Sequence, residues 1–181
     1  MAPTGRDDTP DDEGALTLRR ATSGDSRAAA RIPETERAVC LGLRELLYLL
    51  DTNVVSELRK PRPHGAVVAW VDRTADEDLH LSAVTLGELQ AGVEITREQD
   101  PNKAAEIEAW IDLVAQTWNV LPVDARVFRF WATLMHRRPD HLIEDALIAA
   151  TAIVHHLTVV TRNTRDFAIF QVETLNPFAT K

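Results

Sequence analysis

The chain has a single cysteine, Cys40, in 181 residues, so no disulfide can close within it. Such a sequence belongs in a reducing compartment, and a cytoplasmic location is expected. Long apolar runs are missing too. The longest nearly apolar stretch, around Ala146 to Val154, falls far short of the roughly 20 residues that span a bilayer, so no membrane anchor is expected. No charged opening leads into an apolar segment, so no secretory leader is expected either. An excess of positive charge is also lacking. With 20 Lys and Arg against 28 Asp and Glu, the net charge is −8, unsuited to coating nucleic acid without regard to sequence. A nuclease remains compatible with that balance, because it needs only a local basic rim around an acidic site. The six histidines show no zinc-ligand spacing, and no Ser-His-Asp wording marks a nucleophile.

What is present divides the chain. The first 38 or so residues are rich in Asp, Arg, Ser, Gly, Pro and Ala and contain no aromatic residue. Such a segment buries too little apolar surface to offset its ordering entropy. Residues 1–45 are therefore read as a disordered extension, and residues 46–181 as one α/β domain.

Within that domain, apolar runs and helical patterns alternate. Strands are predicted at Leu46 to Leu50, Leu79 to Val84, Asn119 to Val123 and Thr158 to Thr161, with an edge strand at Val172 to Leu175. Between them, helices are predicted over Thr52 to Lys60, Gly65 to Arg73, Thr85 to Thr96 and Ala104 to Trp118. Two more follow, one marked by Val127, Phe130, Trp131 and Leu134, the other over Ala146 to Val154. Strands separated by helices imply right-handed crossovers and a mainly parallel sheet flanked by helices. The four tryptophans fall at helical apolar positions and are read as core.

Acids recur where strands give way to helices. Asp51 ends the first strand, Glu88 follows the second, Asp145 opens the apolar helix, and Asn163 and Asp166 follow the fourth strand. In an open parallel sheet, ligands bind beyond the carboxyl ends of the strands, so these distant residues are expected to share one rim. Carboxylates at ~4 Å repel by about 4 kcal/mol per pair at an effective dielectric of ~20. Protonation or a shared divalent cation relieves that repulsion, and hard Mg²⁺ or Mn²⁺ suits oxygen ligands. Each acid also has a local reading. Asp51 suits a helix cap, Thr85-x-x-Glu88 fits a capping box, Glu144 and Asp145 complement a helix dipole, and Asp166 suits a turn.

The segments Y-L-L-D-T-N-V-V-S-E-L, L-S-A-V-T-L-G-E-L-Q-A-G, E-D-A-L-I-A-A-T-A and V-V-T-R-N-T-R-D-F, closed by V-E-T-L-N-P-F, occur in this order. Together they resemble a PIN domain, and within that family the VapC-type toxins of type II toxin–antitoxin pairs, in the FitB-like branch. The resemblance covers about residues 47 to 178. It implies a PIN-like fold and a Mg²⁺- or Mn²⁺-dependent endoribonuclease. The catalytic acids it implies are Asp51, Glu88 and Asp145, with a fourth position in T-R-N-T-R-D-F. There the chain departs from the strictest pattern: Asn163 stands where many relatives carry an acid, and can serve as a neutral ligand or hold a metal-bound water. Asp166, three residues on, either substitutes for that acid or only lines the site. Asp51 and Asp145 are assigned the metal. The side chains of Thr52, Thr161 and Asn163 are expected to orient the carboxylates, and Arg162 to contact RNA. A homodimer and a cognate antitoxin are the implied protein partners. Two other functions compete with this one. The first is a catalytically silent PIN-like module that acts by binding; the second, an aspartate-nucleophile phosphatase, is disfavoured because Asn53 replaces its second acid.

Overall fold

The computed structural model describes residues 46–179, so the expected N-terminal extension lies outside the described residues. Five strands form one sheet in the order β3-β2-β1-β4-β5, with every pairing parallel. They are β1 (Tyr48–Leu50), β2 (Leu79–Ser82), β3 (Asn119–Leu121), β4 (Thr158–Val160) and β5 (Thr174–Leu175). Between β1 and β2 lie α1 (Thr52–Leu58) and α2 (Gly65–Val71), and α3 (Ala83–Arg97) and α4 (Pro101–Thr117) join β2 to β3. The chain then runs through α5 (Ala125–Leu134) and α6 (Ile143–His155) to β4, and α7 (Thr164–Ala168) leads to β5.

Successive strand residues point to opposite faces, so the short strands feed two cores. Leu50 and Val160 pack with Val54, Val55, Val67, Val114 and Trp118 on one side. Leu49 and Val159 pack with Ala149, Ala152, Phe167 and Phe170 on the other. This two-sided burial is why β1 reads as an unbroken apolar run, whereas β2 alternates through the half-buried His80.

Most elements lie where the apolar pattern put them, with shifted ends. The expected strand at Leu79 to Val84 stops at Ser82, because the Ser82 hydroxyl accepts the Val84 amide at 3.2 Å and starts α3 there. Helix α4 begins earlier than the expected Ala104. Asp100 caps it through the Lys103 amide at 3.0 Å, and Pro101 takes the first helical position, which needs no amide hydrogen.

The strand order reverses at β1. From there the chain builds outward through β2 and β3, then returns to add β4 and β5 on the other side. The crevice beyond the carboxyl ends of β1 and β4 is therefore the switch point where parallel sheets place ligands.

Candidate active site

Asp51 follows β1 directly, and the β1–β4 register pairs Leu50 with Val160, so the next residues, Asp51 and Thr161, are neighbours. The Asp51 amide continues the ladder by donating to Val160 O at 3.0 Å. Its side chain is only 5% exposed. Although Asp51 occupies the cap position of α1, it makes no side-chain cap hydrogen bond. Its carboxylate instead accepts from Thr161 Oγ1 at 2.6 Å and from the Asn53 amide group. Asn53 Nδ2 also reaches Thr161 Oγ1 at 3.0 Å, the Arg162 amide donates to Asn53 Oδ1 at 3.1 Å, and the Asn163 amide donates to Thr161 Oγ1 at 2.9 Å. The start of α1 and the turn after β4 are thus stitched together around one carboxylate.

Glu88 lies in the second turn of α3. The capping-box reading of Thr85-x-x-Glu88 does not hold. Ser82 is the cap, and Thr85 is buried with its hydroxyl toward Leu50 O at 3.4 Å. Glu88 Oε2 accepts from Thr52 Oγ1 at 2.5 Å, which ties α3 to the residue next to Asp51. Asp145 is in the first turn of α6 and half-buried.

The charge of Asp145 reaches both Asp51 and Glu88, and that of Glu88 reaches Asp51. Burial pushes the Asp51 carboxyl up to about 6, and the charges of Asp145 and Glu88 add to that; the Thr161 hydroxyl and the Thr52 amide work against it. Burial also raises Glu88, as do the charges of Asp145 and Glu144, against the Thr52 hydroxyl. Asp145 is raised by burial and then by Asp166 and Glu144, with His141 opposing. A helix amino terminus favours ionised acids; at Asp145 burial and like charge outweigh it. The expectation of three carboxylates around one shared ion is not met as a ready-made cage. Among the described residues no three acids or histidines stand close enough to hold one ion together.

The segment after β4 separates its expected members. Asp166 is exposed on α7 and acts on Asp145 through charge. The exposed Asn163 caps α7 by position, without a side-chain cap bond, and meets the site through its backbone. The guanidinium of Arg162 is engaged by Glu57 at 3.0 Å and lies 3.9 Å over the Phe178 ring. Arg138 donates to Ile169 O at 2.8 Å and lies over Phe170. Asn53 and Glu57 are the residues that sequence reasoning missed. A signal for Glu57 existed, because it follows Asn53 by one helical turn and is flanked by the buried Val54, Val55 and Leu58. Its partner Arg162 is 105 positions away, and no local pattern points to it.

The family profile described as the PIN domain matches residues 48–171, a span that holds Asp51, Glu88, Asp145 and Asp166. The chain belongs to the PIN-domain family. This PIN domain is similar to "Toxin FitB" of Neisseria gonorrhoeae, at 38% identity over 137 residues, which are 73% of this chain and 99% of that protein. It is 36% identical over 138 residues to "VapC ribonuclease Y4jK" of Sinorhizobium fredii, covering 73% of this chain and 98% of that one. Among solved structures, FitAcB from Neisseria gonorrhoeae matches with a TM-score of 0.66 at 35% identity, over 74% of this chain and all of that one (100%). FitAB bound to an IR36 DNA fragment matches with a TM-score of 0.64 at 34% identity, over 75% of this chain and 98% of that one.

The hydroxyl on Asp51 provides a test of this PIN-domain site. Thr161→Val keeps the shape of the side chain and removes a donor that favours the ionised carboxyl, so the Asp51 carboxyl rises above its present value of about 6. Turnover is expected to fall by about 10–100-fold, the usual cost of losing such a partner. A steady-state assay reads the loss, and turnover unchanged in the valine variant would remove Thr161 from the site.

Proposed function

We propose that this chain is the toxin of a toxin–antitoxin pair, an endoribonuclease that hydrolyses RNA phosphodiester bonds with Mg²⁺ or Mn²⁺. The observation that carries the reading is the buried Asp51 at the end of the central strand, with its carboxyl pushed up to about 6 in part by Asp145 and Glu88. Carboxylates held in this way lack positive charge. A hard cation that keeps several waters and takes one or two carboxylates fits such a donor set without a three-ligand cage. Asp51 and Asp145 are the residues that would hold it. When bound, the ion supplies Lewis acidity, which lowers the pKa of water and offsets charge on the scissile phosphate.

The side chains of the chain do the positioning. Thr161 and Asn53 hold Asp51 in one orientation, and Thr52 fixes Glu88, to which we assign the orientation of the attacking water. Asp166 supplies the remaining acid, acting on Asp145 through its charge. The names of the relatives support the choice of RNA and of the biological setting. VapC ribonuclease Y4jK and Toxin FitB are similar along nearly their whole length, and the matched structures are of FitAcB and FitAB. A cognate antitoxin and a second copy of the chain are the partners we assign. Among the described residues no helix is long and apolar enough to cross a membrane, and we place the activity in the cytoplasm.

The deciding assay incubates purified protein with end-labelled RNA in Mg²⁺ or Mn²⁺, in parallel with a chelator. Cleavage that requires the cation is expected. Cleavage that survives chelation refutes the metal reading. No cleavage at high protein, with antitoxin binding retained, would leave a silent binding module.

A further inference from the structure

Glu57 is an acid where the helix pattern calls for an apolar residue. It is 5% exposed on the face of α1 that buries Val54, Val55 and Leu58. A buried carboxylate is costly unless it is paired and hydrogen-bonded, and Glu57 has three donors. Oε1 accepts the His64 amide at 3.0 Å, while Oε2 accepts Lys60 Nζ at 2.6 Å and an Arg162 guanidinium nitrogen at 3.0 Å. These contacts, the Lys60 bond foremost, hold its carboxyl below the usual range. A buried ion pair is weak evidence of stabilisation, because desolvation cancels much of the attraction. What this pair does is better judged from what Arg162 touches.

Arg162 is anchored at both ends. Its guanidinium is held by Glu57 and lies on the Phe178 ring, while its backbone amide donates to Asn53 Oδ1. Asn53 and Thr161 are the two side chains that grip Asp51, and the Asn163 amide holds Thr161 from the other side. The turn 161–163 therefore cannot shift without breaking either the ion pair or the bond to Asn53. We propose that Glu57 is a positioning residue: through Arg162 it pins the 161–163 turn against α1 and so keeps the Thr161 hydroxyl on Asp51. That the pinned carboxylate belongs to a nuclease rests on the reading above; the pinning itself does not.

The test uses the full chain with Glu57→Gln, Arg162→Gln and the double variant. Glutamine at position 57 can still accept the His64 amide but loses the charge that holds Arg162. Arg162→Gln changes a half-exposed side chain and serves if the buried substitution impairs folding. Amide hydrogen exchange at Arg162 and Asn163 is expected to speed up about 10-fold in each variant, while the β1 and β4 amides stay unchanged. Turnover on RNA is expected to fall about 10-fold, with KM within about twofold. The double variant is expected to be no worse than the poorer single one, since both changes cut the same path. Unchanged exchange, or losses that multiply in the double variant, overturns the proposal. So does a raised KM at constant turnover, because Arg162 would then be a phosphate contact rather than a tether. If exchange responds but the unsubstituted protein never cleaves RNA, the nuclease reading fails and the coupling of Glu57 to the Asp51 turn stands.

Discussion

Asp51→Asn is expected to abolish RNA cleavage and at the same time make the metal-free protein more stable at neutral pH. Both effects come from the same buried carboxylate. Its pKa of about 6, against an ordinary 3.8, means that the fold works against ionising this side chain. At ~1.4 kcal/mol per pKa unit the opposition amounts to about 3 kcal/mol. Asparagine removes the charge while keeping the size. Thr161 and Asn53 both donate to the same carboxylate oxygen, Oδ2, and a carboxamide oxygen in its place can accept both, but as a neutral acceptor it bonds more weakly. The net gain should therefore be smaller, about 1–2 kcal/mol, or a few degrees in Tm for a domain of this size. Activity moves the other way. A charge that holds a catalytic cation contributes several kcal/mol to the transition state, so turnover should drop by about 10³-fold or more. Thermal unfolding in chelator and a cleavage assay on the same preparation read both effects. An Asp51→Asn protein that is less stable and still active would remove this residue from the centre of the site.

The second large effect is on the pH dependence of folding and its reversal by metal. In the unfolded chain, Asp51 ionises near its ordinary 3.8; in the folded protein it holds its proton up to about 6. Between those values the native state binds the extra proton, so stability is greatest at the acidic end and falls as pH rises through about 6. The shifts of Glu88 and Asp145 have the same sign and deepen the fall. The lowered carboxyl of Glu57 has the opposite sign, but its loss sets in only as pH falls below its ordinary 4.5. Urea unfolding of the metal-free protein is therefore expected to show about 2 kcal/mol more stability near pH 4.5 than at pH 7.5 from Asp51 alone. Mn²⁺ at about 100 times its dissociation constant should return about 2.7 kcal/mol at pH 7.5, because it binds the ionised native site. It should do much less at pH 4.5, where protons hold the same oxygens. A metal-free protein more stable at pH 7.5 than at pH 4.5 would contradict the raised carboxyls.

Asp145 opens a helix that follows α5 rather than a strand, and Glu88 lies a turn inside α3. What the sequence by itself determined was the alternation of strands and helices, the parallel sheet and the strand-to-helix junction that carries Asp51. These are local matters. A strand buried on both faces must be apolar throughout, as Leu49 and Leu50 are, and the residue that ends it sits where the chain meets solvent and ligand. Only the tertiary structure decided which atoms these acids meet. The register of β1 on β4 puts Thr161 against Asp51 across 110 positions, and the packing of α3 beside α1 gives Glu88 to Thr52 rather than to its own helix end. In the sequence Glu88 could equally be a site acid or, with Thr85, part of a cap, and nothing singled out Glu57, because a hydrogen bond made across the fold leaves no periodic trace along the chain. Burial is likewise a property of the assembled layers. It raises Asp51 and leaves Glu57 a carboxylate that takes Arg162 as a partner besides the nearby Lys60 and His64. Neither the raised carboxyl nor the Arg162 pair follows from sequence neighbours.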